Sequence, residues 1–195
     1  RFRAPMLQAH GLACDRGDRR LFSGVDFVVP AGEWLQVEGP NGAGKTSLLR
    51  IVAGLAGAAE GHLEWEGRPV AEARDEFHAR LLYLGHAPAI KDDLSALENL
   101  QIAAAVAGRP LDEATALAAL RRIGLAGRED LPSRVLSQGQ KRRVALARLL
   151  CSQARLWVLD EPFVALDVAA VDQLCSILDE HLARGRHVEP AEQVQ

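Results

Sequence analysis

The sequence predicts an α/β domain, and three observations predict it. Gly39-Pro40-Asn41-Gly42-Ala43-Gly44-Lys45-Thr46 is a full match to G-x-x-x-x-G-K-[ST], set between an alternating strand-like run at 34–38 and an apolar stretch at helical spacing at 47–55. Leu156-Trp157-Val158-Leu159 is a continuous apolar run, the pattern of a strand buried on both faces, and it closes on Asp160-Glu161-Pro162. Between the two lies a long stretch whose apolar residues recur at helical spacing.

Length and composition fit one such domain. The chain has 195 residues, enough for a single packed core and few for two. With 48% hydrophobic and 25% charged residues it reads as a soluble globular chain, and its net charge of −3 argues against a dedicated nucleic-acid binder. Cys14, Cys151 and Cys175 form no C-x-x-C pair, so buried, reduced thiols are expected. No apolar run reaches the ~18 residues of a membrane span, and no secretory signal pattern is present. Met6 directly precedes the first strand-like segment, so residues 1–5 read as an extension.

In chain order, residues 6–14 and 21–29 read as strands around a turn at 15–18, followed by a turn at 30–32 and the strand at 34–38. Residues 62–66 alternate, Gly67 turns the chain into 68–70, and Leu81-Leu82-Tyr83-Leu84 is a compact strand ending at Gly85-His86. Ser95 and Glu98 then form a capping box, in which each side chain can reach the other residue's backbone N–H. Leu97, Leu100, Ala104 and Ala107 continue that helix on one face until Gly108-Arg109-Pro110, and a second helix carries Leu117, Leu120 and Ile123 to Gly124. Residues 87 to about 135 are expected to be a helical subdomain inserted between two strands of the main sheet. The helix at 138–150 is expected to turn Val144, Ala147 and Leu150 inward and Lys141, Arg142, Arg143 and Arg148 largely outward. Val168, Val171, Cys175, Leu178 and Leu182 mark a last helix, and no strand is legible after residue 183.

The chemistry follows from the loop. Its glycines let successive N–H groups face a polyphosphate, and the helix start adds about half a positive charge. Lys45 supplies a mobile charge for the outer phosphates, and the Thr46 hydroxyl can ligate Mg²⁺. Asp160, at the C-terminal edge of a buried strand, is the expected second Mg²⁺ ligand. Glu161 is placed to orient or deprotonate an attacking water. Leu136-Ser137-Gln138-Gly139-Gln140 opens a helix and offers a hydroxyl and N–H groups as a second anion site; a plain serine cap would read the same way in isolation.

These elements together resemble the ATP-binding-cassette family of ATPases over about residues 6–183. In that resemblance 39–46 is the Walker A loop, 136–140 the signature motif, 156–160 with Glu161 the Walker B strand and Ala165-Leu166-Asp167 the D-loop. It implies a P-loop ATPase domain with an N-terminal antiparallel β part and an inserted helical subdomain. The cofactors are ATP and Mg²⁺. The nucleotide contacts would be Gly39, Pro40, Asn41, Gly42, Ala43, Gly44, Lys45, Thr46 and Ser47, with Ser137, Gly139 and Gln140 supplied by a second copy in a head-to-tail homodimer.

A finer resemblance lies in residues 81–100, 36–42 and 159–163, which are similar to the cytochrome c maturation branch of the family. There His86 stands where the family usually has a glutamine, and it is the expected third catalytic residue beside Lys45 and Glu161. This branch implies a peripheral ATPase on the cytoplasmic face of the bacterial inner membrane, working with the membrane subunit CcmB and with CcmC and CcmD in haem export or handling. No C-x-x-C-H is present, so haem is not expected to be bound by this chain, and no nucleic-acid partner is expected.

Three departures stand out. The aromatic that usually stacks on adenine is missing from 14–17, where Arg16 offers a guanidinium plane for stacking but reads equally as a solvated turn arginine. Gln138 replaces the commonest glycine. The family's final strand, which ends in a switch histidine, is not legible; His187 lacks a strand before it and reads as tail, with 184–195 atypical. Slow hydrolysis is therefore expected. Other readings are an ATPase of a different transporter, a soluble cassette acting on DNA or ribosomes, and a non-hydrolysing nucleotide module.

Overall fold

The computed structural model describes residues 5–185 and 187–191, with side chains described for 6–185. The expected extension, residues 1–5, lies outside the described residues apart from the backbone of Pro5, as do Arg186 and 192–195 of the expected tail. The elements run β1 (Pro5–Arg16), β2 (Arg19–Pro30), α1 (Lys45–Val52), β3 (Glu60–Trp65), β4 (Arg68–Pro69), α2 (Arg74–Ala79), β5 (Leu81–Leu84), α3 (Ala96–Val106), α4 (Glu113–Arg122), α5 (Gln138–Cys151), β6 (Leu156–Asp160), α6 (Val168–Ala183) and β7 (His187–Ala191). No helix among the described residues is long and apolar enough to cross a membrane. The chain forms two units: Arg1–Gly85 with Ala154–Pro162 and Glu180–Gln195, and His86–Gln153 with Phe163–Asp179.

The first unit holds both sheets. β2-β1-β3-β4 is antiparallel, and β5-β6-β7 is parallel. β1 and β2 join through the tight turn Gly17-Asp18, where Gly17 takes φ 61°, a conformation with little cost for glycine. Arg20 holds Asp15 across that hairpin at 2.6 Å and Glu60 of β3 at 2.8 Å. Leu7, Leu12, Val29, Leu49, Trp65, Phe77 and Leu156 belong to one apolar core that joins both sheets to α1. Each such side chain removed from water contributes roughly 1.5–3 kcal/mol before chain entropy is counted.

The second unit packs α3, α4 and α5 against one another. Ser95 and Glu98 form the expected capping box at the start of α3, and Asp112 caps α4 by accepting from Thr115 N–H. Asn99 ties the loop before α3 together. Its amide nitrogen reaches the carbonyls of Lys91, Leu94 and Ser95 and the Ser133 hydroxyl at 2.9–3.2 Å. Its oxygen accepts from Lys91 N–H at 2.8 Å. Glu129 is buried and accepts from Arg121 Nε at 3.0 Å; hydrogen bonds from nearby backbone N–H groups and that guanidinium hold its carboxyl below the usual range.

Several expectations are corrected. Residues 34–38 are not a continuous strand: Trp34 and Val37 make only isolated bridges, and Trp34 is exposed. The alternating pattern was there, but a strand also needs a ladder of partners. After α6, where no strand was legible, the backbone of His187–Ala191 pairs in parallel with β6, from His187 opposite Leu156 to Ala191 opposite Asp160. Pairing satisfies the open edge of a wholly buried strand, and that demand comes from β6 and not from the composition of 187–191. The strand begins with a histidine and ends at Ala191, so a strand ending in a histidine is still not what this segment provides.

The basic face of α5 is not an outward one. Arg142 is 5% exposed and donates to the His86 carbonyl, Lys141 pairs with Asp92, and Arg143 donates to both Asp167 oxygens at 2.7–2.8 Å. Burial pulls the Arg148 guanidinium below its ordinary value. The reason is position: α5 is packed by both α3 and α4, so its cations are spent inside the unit. In α6 the buried positions are Ala170, Leu174, Ile177 and His181, while Val168 and Cys175 are exposed. Two apolar stripes share this helix, and period alone does not say which one packs. Of the three cysteines expected to be buried, Cys14 is buried, Cys151 is half-buried and Cys175 is exposed.

Candidate functional site

The loop at 39–44 is shaped by three glycines with φ of 155°, 82° and 99° at Gly39, Gly42 and Gly44. Gly44 is also held by space: a Cβ there would lie 3.0 Å from the Phe22 ring and 3.2 Å from Leu21 Cβ. It is the N-cap of α1 and is left-handed, with no side chain capping the helix start. The first N–H groups of α1 therefore lack a side-chain cap, an arrangement that suits an external acceptor such as a polyphosphate. Lys45 opens the helix, and its ammonium donates to the Gly39 carbonyl at 2.5 Å and the Pro40 carbonyl at 3.2 Å. Thr46 is exposed one residue further on, and Ser47 is half-buried.

α1 packs against β6, which brings the loop and the paired carboxylates into one unit. All five residues of β6 are buried, and Asp160 at its C-terminal end is 1% exposed. An ionised carboxylate in that position needs a compensating charge, so its chemistry fits a hard divalent cation. Its negative charge is felt on the neighbouring strand: burial first, and Asp160 second, push the Tyr83 phenol above its ordinary value, with Arg50 opposing. Glu161 follows with φ 51°, an unusual backbone for a glutamate and one that concentrates at functional sites. The turn aims its side chain differently from a continuing strand.

The residues predicted for the second anion site, and His86, lie in the second unit. Ser137 is the N-cap of α5: its hydroxyl accepts from Gln140 N–H at 3.2 Å, and Gln140 Oε1 accepts from Ser137 N–H at 2.9 Å. Gly139 is there for space, since a Cβ would come within 2.7 Å of the Ala165 carbonyl. Ala165 takes φ 63°, and Asp167 caps α6 by accepting from Ala170 N–H at 2.9 Å while holding Arg143. His86 is exposed, and its carbonyl is held by Arg142 Nη1 at 3.2 Å. Arg16 is exposed on the hairpin end. Sequence reasoning missed Arg142 and Arg143 as internal ties of this unit. Their placement in a run of three cations suggested a solvated face instead.

A glycine loop feeding an uncapped helix, beside a parallel sheet that ends in a buried aspartate, defines a P-loop nucleotide-binding protein. A family model described as "ABC transporter" matches residues 22–164. The chain belongs to the ABC transporter ATP-binding family. It is 56% identical over 180 residues to the "Cytochrome c biogenesis ATP-binding export protein CcmA" of Dechloromonas aromatica, covering 92% of this chain and 88% of that protein. It is 58% identical over 182 residues to the protein of the same name from Aromatoleum aromaticum, covering 93% and 85%. Among solved structures, the ATP-binding cassette MJ0796, a dimer in a post-hydrolysis state bound to ADP and Pi, has a TM-score of 0.83 at 21% identity, covering 95% of this chain and 87% of that one. At that identity the likeness concerns the fold.

Proposed function

We propose that this chain is the ATP-hydrolysing subunit of a transporter complex for cytochrome c maturation, of the kind its relatives are named for. The observation that carries the reading is identity above 50% to those relatives across nine-tenths of the chain, together with an uncapped phosphate loop and a buried Asp160 in one unit.

In this reading the loop from Gly39 to Ser47 wraps the ATP phosphates with backbone N–H groups. Lys45 exchanges its bonds to the Gly39 and Pro40 carbonyls for oxygens of the outer phosphates. Thr46 and Asp160 would hold Mg²⁺, which when bound would neutralise charge on the phosphates. Glu161 orients the water that attacks the γ-phosphorus and takes up its proton as the bond to the ADP oxygen breaks. His86 acts where the family's glutamine does, sensing the site through a backbone position that Arg142 holds. Ser137, Gly139 and Gln140 of a second copy complete the site in a head-to-tail homodimer. The membrane partner is CcmB, with CcmC and CcmD, on the cytoplasmic face of the inner membrane; haem handling would then belong to those subunits. Turnover is slow, because Ala191 and not a histidine ends the strand beside Asp160. Losing one charge-stabilising contact of that kind costs ~10²–10³ in rate.

The test is Glu161→Gln with MgATP. The variant is expected to bind ATP, to stop hydrolysing it, and to sediment as a dimer, while the parent dimerises only transiently. A variant that stays monomeric at saturating ATP would remove the composite site. Turnover by the parent at rates usual for the family would remove the slow-hydrolysis reading and leave the rest standing. Failure to co-purify with a co-expressed CcmB would remove the proposed partner.

A further inference from the structure

On the outer face of the antiparallel sheet, away from the glycine loop in sequence, three metal-ligating side chains converge. His10 on β1 is directly opposite His62 on β3, and Glu64 stands two residues along β3, on the same face as His62. The two imidazoles stack with centroids 4.9 Å apart. Glu64 reaches toward both, one oxygen 3.7 Å from His10 Nε2 and the other 3.5 Å from His62 Nε2. One ligand atom from each residue falls within a 4.8 Å cluster. Yet His10 Nε2 is buried and has no hydrogen-bond partner, because the carboxylate is too far away to accept from it.

The backbone makes this convergence a fixed one. A Cβ on Gly61, the residue before His62, would lie 2.3 Å from the His10 carbonyl, so the strands meet here more closely than any other residue would allow. Gly11, just after His10, takes φ 58°, and its N–H donates to Asp26 at 2.8 Å. His10 and His62 are thereby set on two strands whose separation does not adjust easily.

We propose that His10, His62 and Glu64 form a binding site for a borderline divalent ion such as Zn²⁺, one that staples β1 to β3. Two imidazole nitrogens and one carboxylate oxygen are the ligand set of such ions, at about 2.0–2.2 Å, with water in the remaining position. Small side-chain rotations from a 4.8 Å cluster reach those distances, and the ion supplies the partner that His10 Nε2 lacks. Mg²⁺, which demands an oxygen shell, is not accepted here, so the site is chemically separate from the one at Thr46 and Asp160.

The test is Zn²⁺ binding to the full chain, free of nucleotide and in excess Mg²⁺, in competition with a chromophoric chelator. The parent is expected to take up one equivalent and to rise in melting temperature with added Zn²⁺. His62→Ala and Glu64→Gln should each weaken Zn²⁺ roughly tenfold or more, since losing even a group behind a ligand costs 10–100-fold. His62 has 56% of its side chain exposed and Glu64→Gln keeps the shape, so both variants should melt like the parent without metal. A parent that takes up no Zn²⁺ would overturn the proposal. So would an equivalent held unchanged by both variants, which would move the ion to the exposed Cys175.

Discussion

The two helices that begin at phosphate-type motifs start in opposite ways. α1 opens from a left-handed Gly44 with no side chain on its first N–H groups. α5 opens from Ser137 with a complete capping box, Ser137 and Gln140 each satisfying the other's backbone. The surrounding frames differ too. The first unit rests on an apolar core, whereas four of the described buried polar residues, Asn99, Glu129, Ser133 and Arg142, lie in the second. The difference teaches that the start of α1 suits an external anion, while α5 is capped by its own side chains and would meet an anion by donating the Ser137 hydroxyl proton, which the cap does not use. A ligand would satisfy the first helix start and add to a finished cap at the second.

The sharpest way to break this contrast is to remove the charge at the uncapped end. Lys45→Ala is expected to weaken ATP binding on the order of 100-fold, the loss of charge-assisted bonds worth ~1.5–3 kcal/mol each. Calorimetric titration of nucleotide would show it, with the melting temperature of the free chain little changed. Binding within threefold of the parent would mean that the backbone N–H groups alone hold the phosphates. Next in size is the polar frame. Asn99→Ala leaves Lys91 N–H and several carbonyls without their partner in a buried site, at about 2–3 kcal/mol. A lowered urea midpoint with unchanged m-value would register this, and hydrogen exchange should place the loss in residues 91–99 and not around α1.

What the sequence made legible was local chemistry. The loop, the buried run before Asp160 and the Ser95 capping box all announce themselves because the cause of each lies within a few residues. Where the cause is distant, the reading went astray. Lys141, Arg142 and Arg143 look like a solvated face until Asp92, His86 and Asp167 are found beside them, 24 to 56 residues away in the chain. Residues 187–191 carry no strand pattern of their own and pair because β6 offers an edge. α2 went unread because its only buried residue is Phe77 and its N-cap, Ala73, gives no start signal. Gly139 was legible as part of a motif, but its reason, the Ala165 carbonyl at 2.7 Å from a would-be Cβ, was not.

The finest test of the contrast is at Ser137, where one hydroxyl has two separable roles, acceptor in the cap and donor to a phosphate. As a cap, Ser137 contributes about 1 kcal/mol to α5, and Ser137→Ala should lower stability by that much in denaturant unfolding. As a ligand from a second copy, it should matter only when ATP is present. The informative measurement is therefore the same substitution placed in the Glu161→Gln background, with unfolding and ATP-dependent dimerisation read side by side. If the hydroxyl is only a cap, Ser137→Gly, which costs a helix start only a few tenths of a kcal/mol, should dimerise as the parent does. If it also meets the phosphates, Ser137→Gly should remain nearly as stable as the parent and still lose dimer affinity, because glycine keeps the helix start but offers no hydroxyl.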